Sequence, residues 1–94
     1  MAKKVILYGN ADCPDCMVVK NLFDEAGIHY GYVDVLGGLA HLKKFLAVRD
    51  SHPTDFKAVV EGGGIGIPTV VVDDTELYML HGAGPDTDLS PFKG

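Results

Sequence analysis

The spacing of apolar residues in the first third of the chain predicts a strand, a helix and a second strand. Residues 4–8 are branched or aromatic, as in a short strand. Pro14 suits the first position of a helix, and apolar residues then recur with helical spacing over residues 17–26. Residues 28–35 alternate imperfectly and predict a strand parallel to the first, reached by a right-handed crossover.

The remaining apolar positions predict two more helical segments and a β-hairpin. Helical spacing runs over residues 39–51, and a short helical turn is expected over residues 54–60. An apolar run after Pro68 is typical of a buried strand, and residues 77–80 follow it after a turn signal. The order β-α-β, helix, β-hairpin is that of the thioredoxin fold, an α/β sheet covered by helices.

Length and charge restrict the class of protein. We expect 94 residues with 47% hydrophobic side chains to form one domain, residues 1–94, with a single modest core. A net charge of −5 argues against binding to nucleic acid. The apolar run after Lys4 is too short for a signal peptide or a membrane span, so we expect a cytoplasmic protein. We also expect it to be a monomer.

Both cysteines lie in the tetrad Cys13-Pro14-Asp15-Cys16, between the first strand and the first helix. This placement puts Cys13 at the positive N-terminal end of the helix, where backbone N–H groups favour a thiolate. Cys16 falls on the apolar face of the helix and is expected to be shielded. The spacing therefore predicts a redox pair, with Cys13 as the attacking thiol and Cys16 as the resolving thiol.

These features resemble the glutaredoxin family, and more closely its small bacterial glutaredoxin-related members with a Cys-Pro-Asp-Cys motif. The resemblance covers residues 3–80 and rests on the tetrad, on Gly66-Ile67-Pro68 before the third strand, and on the order of elements. It implies an enzyme, a thiol-disulfide oxidoreductase that reduces disulfides or mixed disulfides. It requires no cofactor, but glutathione is a possible co-substrate.

The resemblance also implies the substrate site and the partners. Pro68 is expected to be cis and, with Ile67 and Thr69, to form the edge on which a peptide or glutathione docks. The expected partners are glutathione, disulfide-containing proteins and a thioredoxin-type reductase as electron donor. Further candidates for substrate contact lie in the motif and near the C-terminus: Pro14, Asp15, Asp86, Thr87 and Asp88.

Some residues depart from the family pattern around the glutathione site. Asn10 stands where a lysine or arginine is usual, and Asp15 where an uncharged residue is usual. Residues 82–88 are a degenerate counterpart of the family's C-terminal motif. We expect the closing helix to be missing or very short and the Gly-, Pro- and Asp-rich tail to be a solvated coil.

Two other functions are compatible with the sequence. A [2Fe–2S] cluster could be shared across a dimer, with one cysteine from each chain and glutathione thiols as the other ligands. The fold could also serve as a binding module without turnover, although the retention of both thiols argues against this. A zinc site is not predicted, because the four histidines show no ligand spacing relative to the tetrad.

Overall fold

The computed structural model describes residues 3–93, which contain short strands and three helices. The strands are β1 (Val5–Gly9), β2 (Gly31–Asp34), β3 (Thr69–Val72) and β4 (Glu76–Met79). The helices are α1 (Pro14–Glu25), α2 (Leu39–Ser51) and α3 (Pro53–Glu61), and a single 3₁₀ turn covers Ser90–Phe92. The predicted order of elements is therefore confirmed.

The four strands form one sheet in the order β2-β1-β3-β4. β1 and β2 are parallel, with Leu7 opposite Tyr32, and β3 is antiparallel to both β1 and β4. β1 and β3 are the central strands. Cys13 of the predicted site follows β1, and Pro68 precedes β3. The register therefore brings the end of β1, which leads to Cys13, next to the start of β3, which follows Pro68.

Alternate residues of the strands enter two hydrophobic clusters, as the two-residue period of a strand requires. Val5, Leu7, Val70 and Val72 pack with Phe23 of α1 in one cluster. The intervening residues of these strands pack in the other cluster, with Phe45 of α2 and Phe56 of α3. The sheet thus has α1 on one face and α2 with α3 on the other, which is the predicted thioredoxin-like arrangement.

Two elements differ in length from their predictions. β2 is shorter than residues 28–35, because Gly27 takes a left-handed φ of +69° and the Ile28 amide donates to the Phe23 carbonyl at the end of α1. Ile28 therefore belongs to the end of the helix rather than to the sheet. α3 has nine residues, so the predicted helical turn is a complete short helix.

The C-terminal tail corrects one prediction. The closing helix is indeed very short, but the tail is not simply a solvated coil. Phe92 is 2% exposed, and its ring lies 5.0 Å from that of Phe23 and 5.1 Å from that of Tyr78. Phe92 thus covers part of the core on the α1 side of the sheet.

Candidate active site

Cys13 is the N-cap residue of α1, with extended backbone angles, and Pro14 occupies the first helical position. The backbone N–H of Cys16 donates a hydrogen bond to the Cys13 sulfur at 3.3 Å. Cys13 is partly exposed, so its sulfur combines access to solvent with a hydrogen-bond donor and the positive end of a helix. The sulfur that is expected to act as the nucleophile is therefore the one that a substrate can reach.

Cys16 lies one helical turn later and is fully buried, as are Val19 and Phe23 on the same face of α1. Burial raises the pKa of the Cys16 thiol well above its ordinary value, and the neighbouring Cys13 raises it further. Gly9 makes this position possible, since a Cβ there would lie 3.2 Å from the Cys16 sulfur. Cys16 is thus held as a protonated, shielded thiol. Both cysteines are free thiols in this structure.

Asn10 has a structural role in the loop before Cys13. Its side-chain amide donates to the Asp34 carboxylate at 2.8 Å, and its side-chain oxygen accepts from the Asp12 amide at 2.8 Å. The bond from Asn10, followed by that from the Leu36 amide, lowers the pKa of Asp34. Asn10 is only 9% exposed. The residue that replaces the usual cation therefore fixes the loop and is directed inward.

A groove of about 580 Å³ extends from Cys13 along the segment between α3 and β3. The Ile67–Pro68 peptide bond is cis, as the family resemblance implied. The groove is lined by Cys13, Ala58, Val59, Gly62, Gly63, Gly64, Ile65, Gly66, Ile67, Pro68, Met79 and His81. Cys13 is thus brought next to Ile67 and Pro68, which are far from it in sequence.

The loop before Pro68 can take its path only with a glycine at position 66. Gly66 has a φ of +106°, and a Cβ there would lie 2.6 Å from the Phe56 ring. The Arg49 guanidinium also holds this loop, since it donates to the Ile65 carbonyl at 3.0 Å. Within residues 3–93 neither the amide nor the carbonyl of Ile67 has a hydrogen-bond partner. A backbone edge is therefore open beside the reactive sulfur.

The other residues predicted to contact substrate do not line the groove. Thr69 is fully buried and its hydroxyl donates to the Gly66 carbonyl, so its side chain supports the loop and is not accessible to a substrate. Pro14 is exposed beside Cys13, whereas Asp86, Thr87 and Asp88 are not among the residues that line the groove. Thr87 and Asp88 accept hydrogen bonds from the Gly84 and Ser90 amides, within the tail itself.

His81 is a site residue that the sequence interpretation missed. Its Nδ1 lies 3.0 Å from an Asp15 carboxylate oxygen, and it lines the groove together with Cys13. The Leu80 amide donates to the Pro68 carbonyl, which brings the end of β4 to the site. A signal was present: a residue just after the second strand of this hairpin must lie next to the residue that precedes the first strand.

No three Cys, His, Asp or Glu side chains converge into a metal-binding arrangement within residues 3–93. Cys13 is the partly exposed thiol, so a group bound through sulfur from outside would be held there. None of the helices in the described part of the chain is both long and apolar enough to span a membrane.

Comparison with known proteins places this geometry in a family. The chain is 28% identical over 79 residues to an uncharacterized protein of Haemophilus influenzae, an alignment that covers 84% of this chain and 90% of that protein. It is also similar to the crystal structure of a mutant of the thioredoxin-like protein BC3987, with a TM-score of 0.53 and 27% identity, covering 80% of this chain and 78% of that one. The glutaredoxin family model matches residues 5–77, which include both cysteines and Pro68. The chain therefore belongs to the glutaredoxin family.

Proposed function

We propose that this protein is a thiol-disulfide oxidoreductase that reduces disulfides through Cys13 and Cys16. The observation that carries the proposal is the pairing of a partly exposed N-cap sulfur with a fully buried thiol one helical turn later. The two cysteines differ in access to solvent. This difference is what a nucleophile and a resolving thiol require.

The reaction has two balanced exchange steps. The Cys13 thiolate attacks one sulfur of the substrate disulfide, forms a mixed disulfide with it and releases the other sulfur as a thiolate. Cys16 then loses its proton and attacks the Cys13 sulfur, which releases the second substrate thiolate. The substrate gains two electrons and two protons overall, and the protein is left with an internal disulfide.

The open backbone of Ile67 supports a role for the groove in holding the substrate. An extended segment could pair with the free amide and carbonyl of Ile67 in the manner of an added strand. This pairing would align the substrate sulfur with Cys13, because both residues line the same groove. The proposed substrates are disulfide-containing proteins or glutathione mixed disulfides.

The oxidised protein must be reduced again to complete a cycle. Glutathione or a thioredoxin-type reductase would supply the two electrons and regenerate both thiols. The proposal places the protein in the cytoplasm, where a reducing environment keeps most cysteine pairs as thiols.

Intact mass spectrometry of the reduced protein after exposure to a small disulfide tests this function. With hydroxyethyl disulfide we expect the wild type to lose two hydrogens, as it forms an internal disulfide. The Cys16→Ser variant should instead gain one mercaptoethanol group on Cys13, and the Cys13→Ser variant should gain none. An adduct of equal yield on both variants, or no reaction of the wild type, would contradict the assigned roles.

A further inference from the structure

The groove beside Cys13 is apolar and contains no fixed charge of its own. Apart from Cys13 and His81 at one end, its side chains are the apolar ones of Ala58, Val59, Ile65, Ile67, Pro68 and Met79, and four glycines contribute only backbone. No lysine, arginine, aspartate or glutamate is part of the lining. Such a surface stabilises apolar groups by removing them from water and offers no lysine or arginine to pair with an anion.

Arg49 and Lys57 line a different depression from the groove. Arg49 reaches the Ile65 carbonyl but lines a separate depression, together with Lys57, Asp50 and Glu61. The Lys57 Nζ atom lies 3.9 Å from a carboxylate oxygen of Glu61, so this cation already has an acidic partner. Asn10, at the position before the motif where the family has a cation, is bonded to Asp34 and is nearly buried. A negatively charged ligand in the groove would therefore find no lysine or arginine among the residues that line it.

The opening at Cys13 is acidic. Asp12, which is exposed, directly precedes Cys13 in sequence, and Asp15 follows two residues later, in contact with His81. In water, a unit charge about 7 Å from a charged substrate group changes the rate of encounter about threefold, downward for like charges and upward for opposite charges. Glutathione carries two carboxylates and one ammonium, so these aspartates disfavour it, whereas a basic substrate residue would be attracted.

Ile65 gives the groove an exposed apolar contact. Its side chain is 51% exposed on the glycine-rich loop that Arg49 holds in place. The free amide and carbonyl of Ile67 lie two residues further along. An extended chain that pairs with Ile67 would cover part of Ile65 with its own neighbouring side chain.

We propose that this site selects an extended protein segment over glutathione, with an apolar residue on one side of the substrate cysteine and a basic residue on the other. The apolar residue occupies the groove against Ile65, and the basic residue lies near Asp12 and Asp15. This inference rests on the proposed function, since it names the substrate of the same two-step exchange.

Single-turnover reduction of matched disulfides by the prereduced protein tests the selection. The substrates are glutathione disulfide and the homodisulfides of three blocked peptides: apolar-basic (lysine, cysteine, valine, isoleucine), apolar-acidic with glutamate for lysine, and polar-basic with two serines for the apolar pair. Each peptide is made in both chain directions. Each rate constant is divided by that of the same disulfide with dithiothreitol, which removes differences in intrinsic reactivity.

Of the two chain directions of the apolar-basic peptide, we expect the faster one to have a corrected rate constant at least about tenfold above that of glutathione disulfide. The Ile65→Ser variant should lower the rate with both apolar peptides about fivefold and leave the polar-basic peptide and glutathione within twofold. The Leu39→Ser variant is the matched control, because Leu39 is an apolar residue that is 67% exposed outside the groove. It should change none of the rates.

A corrected rate for glutathione equal to or above that of every peptide would overturn the selection, as would an equal loss with all substrates in Ile65→Ser. Hydroxyethyl disulfide, which is small and uncharged, separates this result from a failure of the function. If the protein reduces hydroxyethyl disulfide but does not discriminate among the others, only the selection is wrong. If it does not reduce hydroxyethyl disulfide either, the proposed function is wrong as well.

Discussion

The two halves of the candidate site are built in different ways. The thiol half consists of Cys13 and Cys16 on the first turn of α1, and its key hydrogen bond joins residues three apart in sequence. The groove half is assembled from α3, the loop before Pro68 and the end of β4. Reactivity is therefore a local property of one helix end, whereas the shape that meets a substrate depends on the complete fold.

This difference separates the effects expected from mutation. Changes in the thiol half should alter the chemistry with every disulfide. Changes in the groove half should alter stability or the choice of substrate and leave the exchange chemistry intact. Substitutions in each half, together with the pH dependence of the second exchange step, test this separation.

Loss of the nucleophile should have the largest effect. Cys13→Ser replaces the nucleophilic sulfur with a hydroxyl, which is a far weaker nucleophile at neutral pH, so reduction of hydroxyethyl disulfide should fall at least about a thousandfold. Cys16→Ser should retain the first exchange step and lose only the second. Stopped-flow measurement of the first thiol released distinguishes the two variants. Loss of the first step in Cys16→Ser would show that the thiols do not have separate roles.

Gly66→Ala should disrupt the groove half through packing. The new Cβ would lie 2.6 Å from Phe56 at a φ of +106°, so strain and overpacking together should lower the free energy of unfolding by about 3 kcal/mol or more. Gly63→Ala is the matched control, because Gly63 also has a positive φ but a Cβ there would meet no atom within 4 Å. It should cost about 1 kcal/mol. Urea unfolding measures both values, and equal losses would contradict the packing argument.

The resolving step should depend steeply on pH. Burial raises the pKa of Cys16, so below that pKa its thiolate fraction increases about tenfold for each pH unit. The mixed disulfide of Cys13 with mercaptoethanol, prepared at low pH and shifted to values between about 6 and 8, should therefore close to the internal disulfide about tenfold faster per unit. Acid quenching and mass spectrometry follow the closure. A flat profile would mean that Cys16 is already ionised in this range.

His81→Asn should have the smallest effect. His81 is largely exposed, with 83% of its side chain accessible, and a pair of this exposure with Asp15 contributes below about 1 kcal/mol. We therefore expect kcat/KM for hydroxyethyl disulfide to change by less than about fivefold. A loss above about fiftyfold at neutral pH would instead give His81 a direct part in proton transfer, and the groove half would share in the chemistry.

The sequence predicted the thiol half more completely than the groove half. The N-cap position of Cys13 and the burial of Cys16 follow from proline placement and helical spacing, both of which act over a few residues. The contact of His81 with Asp15 depends on the pairing of β3 with β4, which spacing within one element does not reveal. The cis bond before Pro68 was predicted only through the family resemblance.

The remaining differences also come from contacts between distant segments. Thr69 was expected to face the substrate, but strand alternation and the Gly66 carbonyl direct its hydroxyl inward. Phe92 was expected in a solvated tail, and it fills a space against Phe23 and Tyr78 instead. In both cases a contact with a segment outside the residue's own element, which local sequence does not reveal, determined the result.

The central claim is that a substrate bonded to Cys13 also lies along Ile67 in the groove. Amide hydrogen exchange, measured by NMR on the Cys16→Ser variant with the apolar-basic peptide trapped on Cys13, tests this claim most directly. The Ile67 amide has no partner within residues 3–93, so trapping should slow its exchange at least about tenfold relative to the same variant carrying mercaptoethanol. Unchanged exchange at Ile67 in a sample whose mass confirms the peptide adduct would contradict the account.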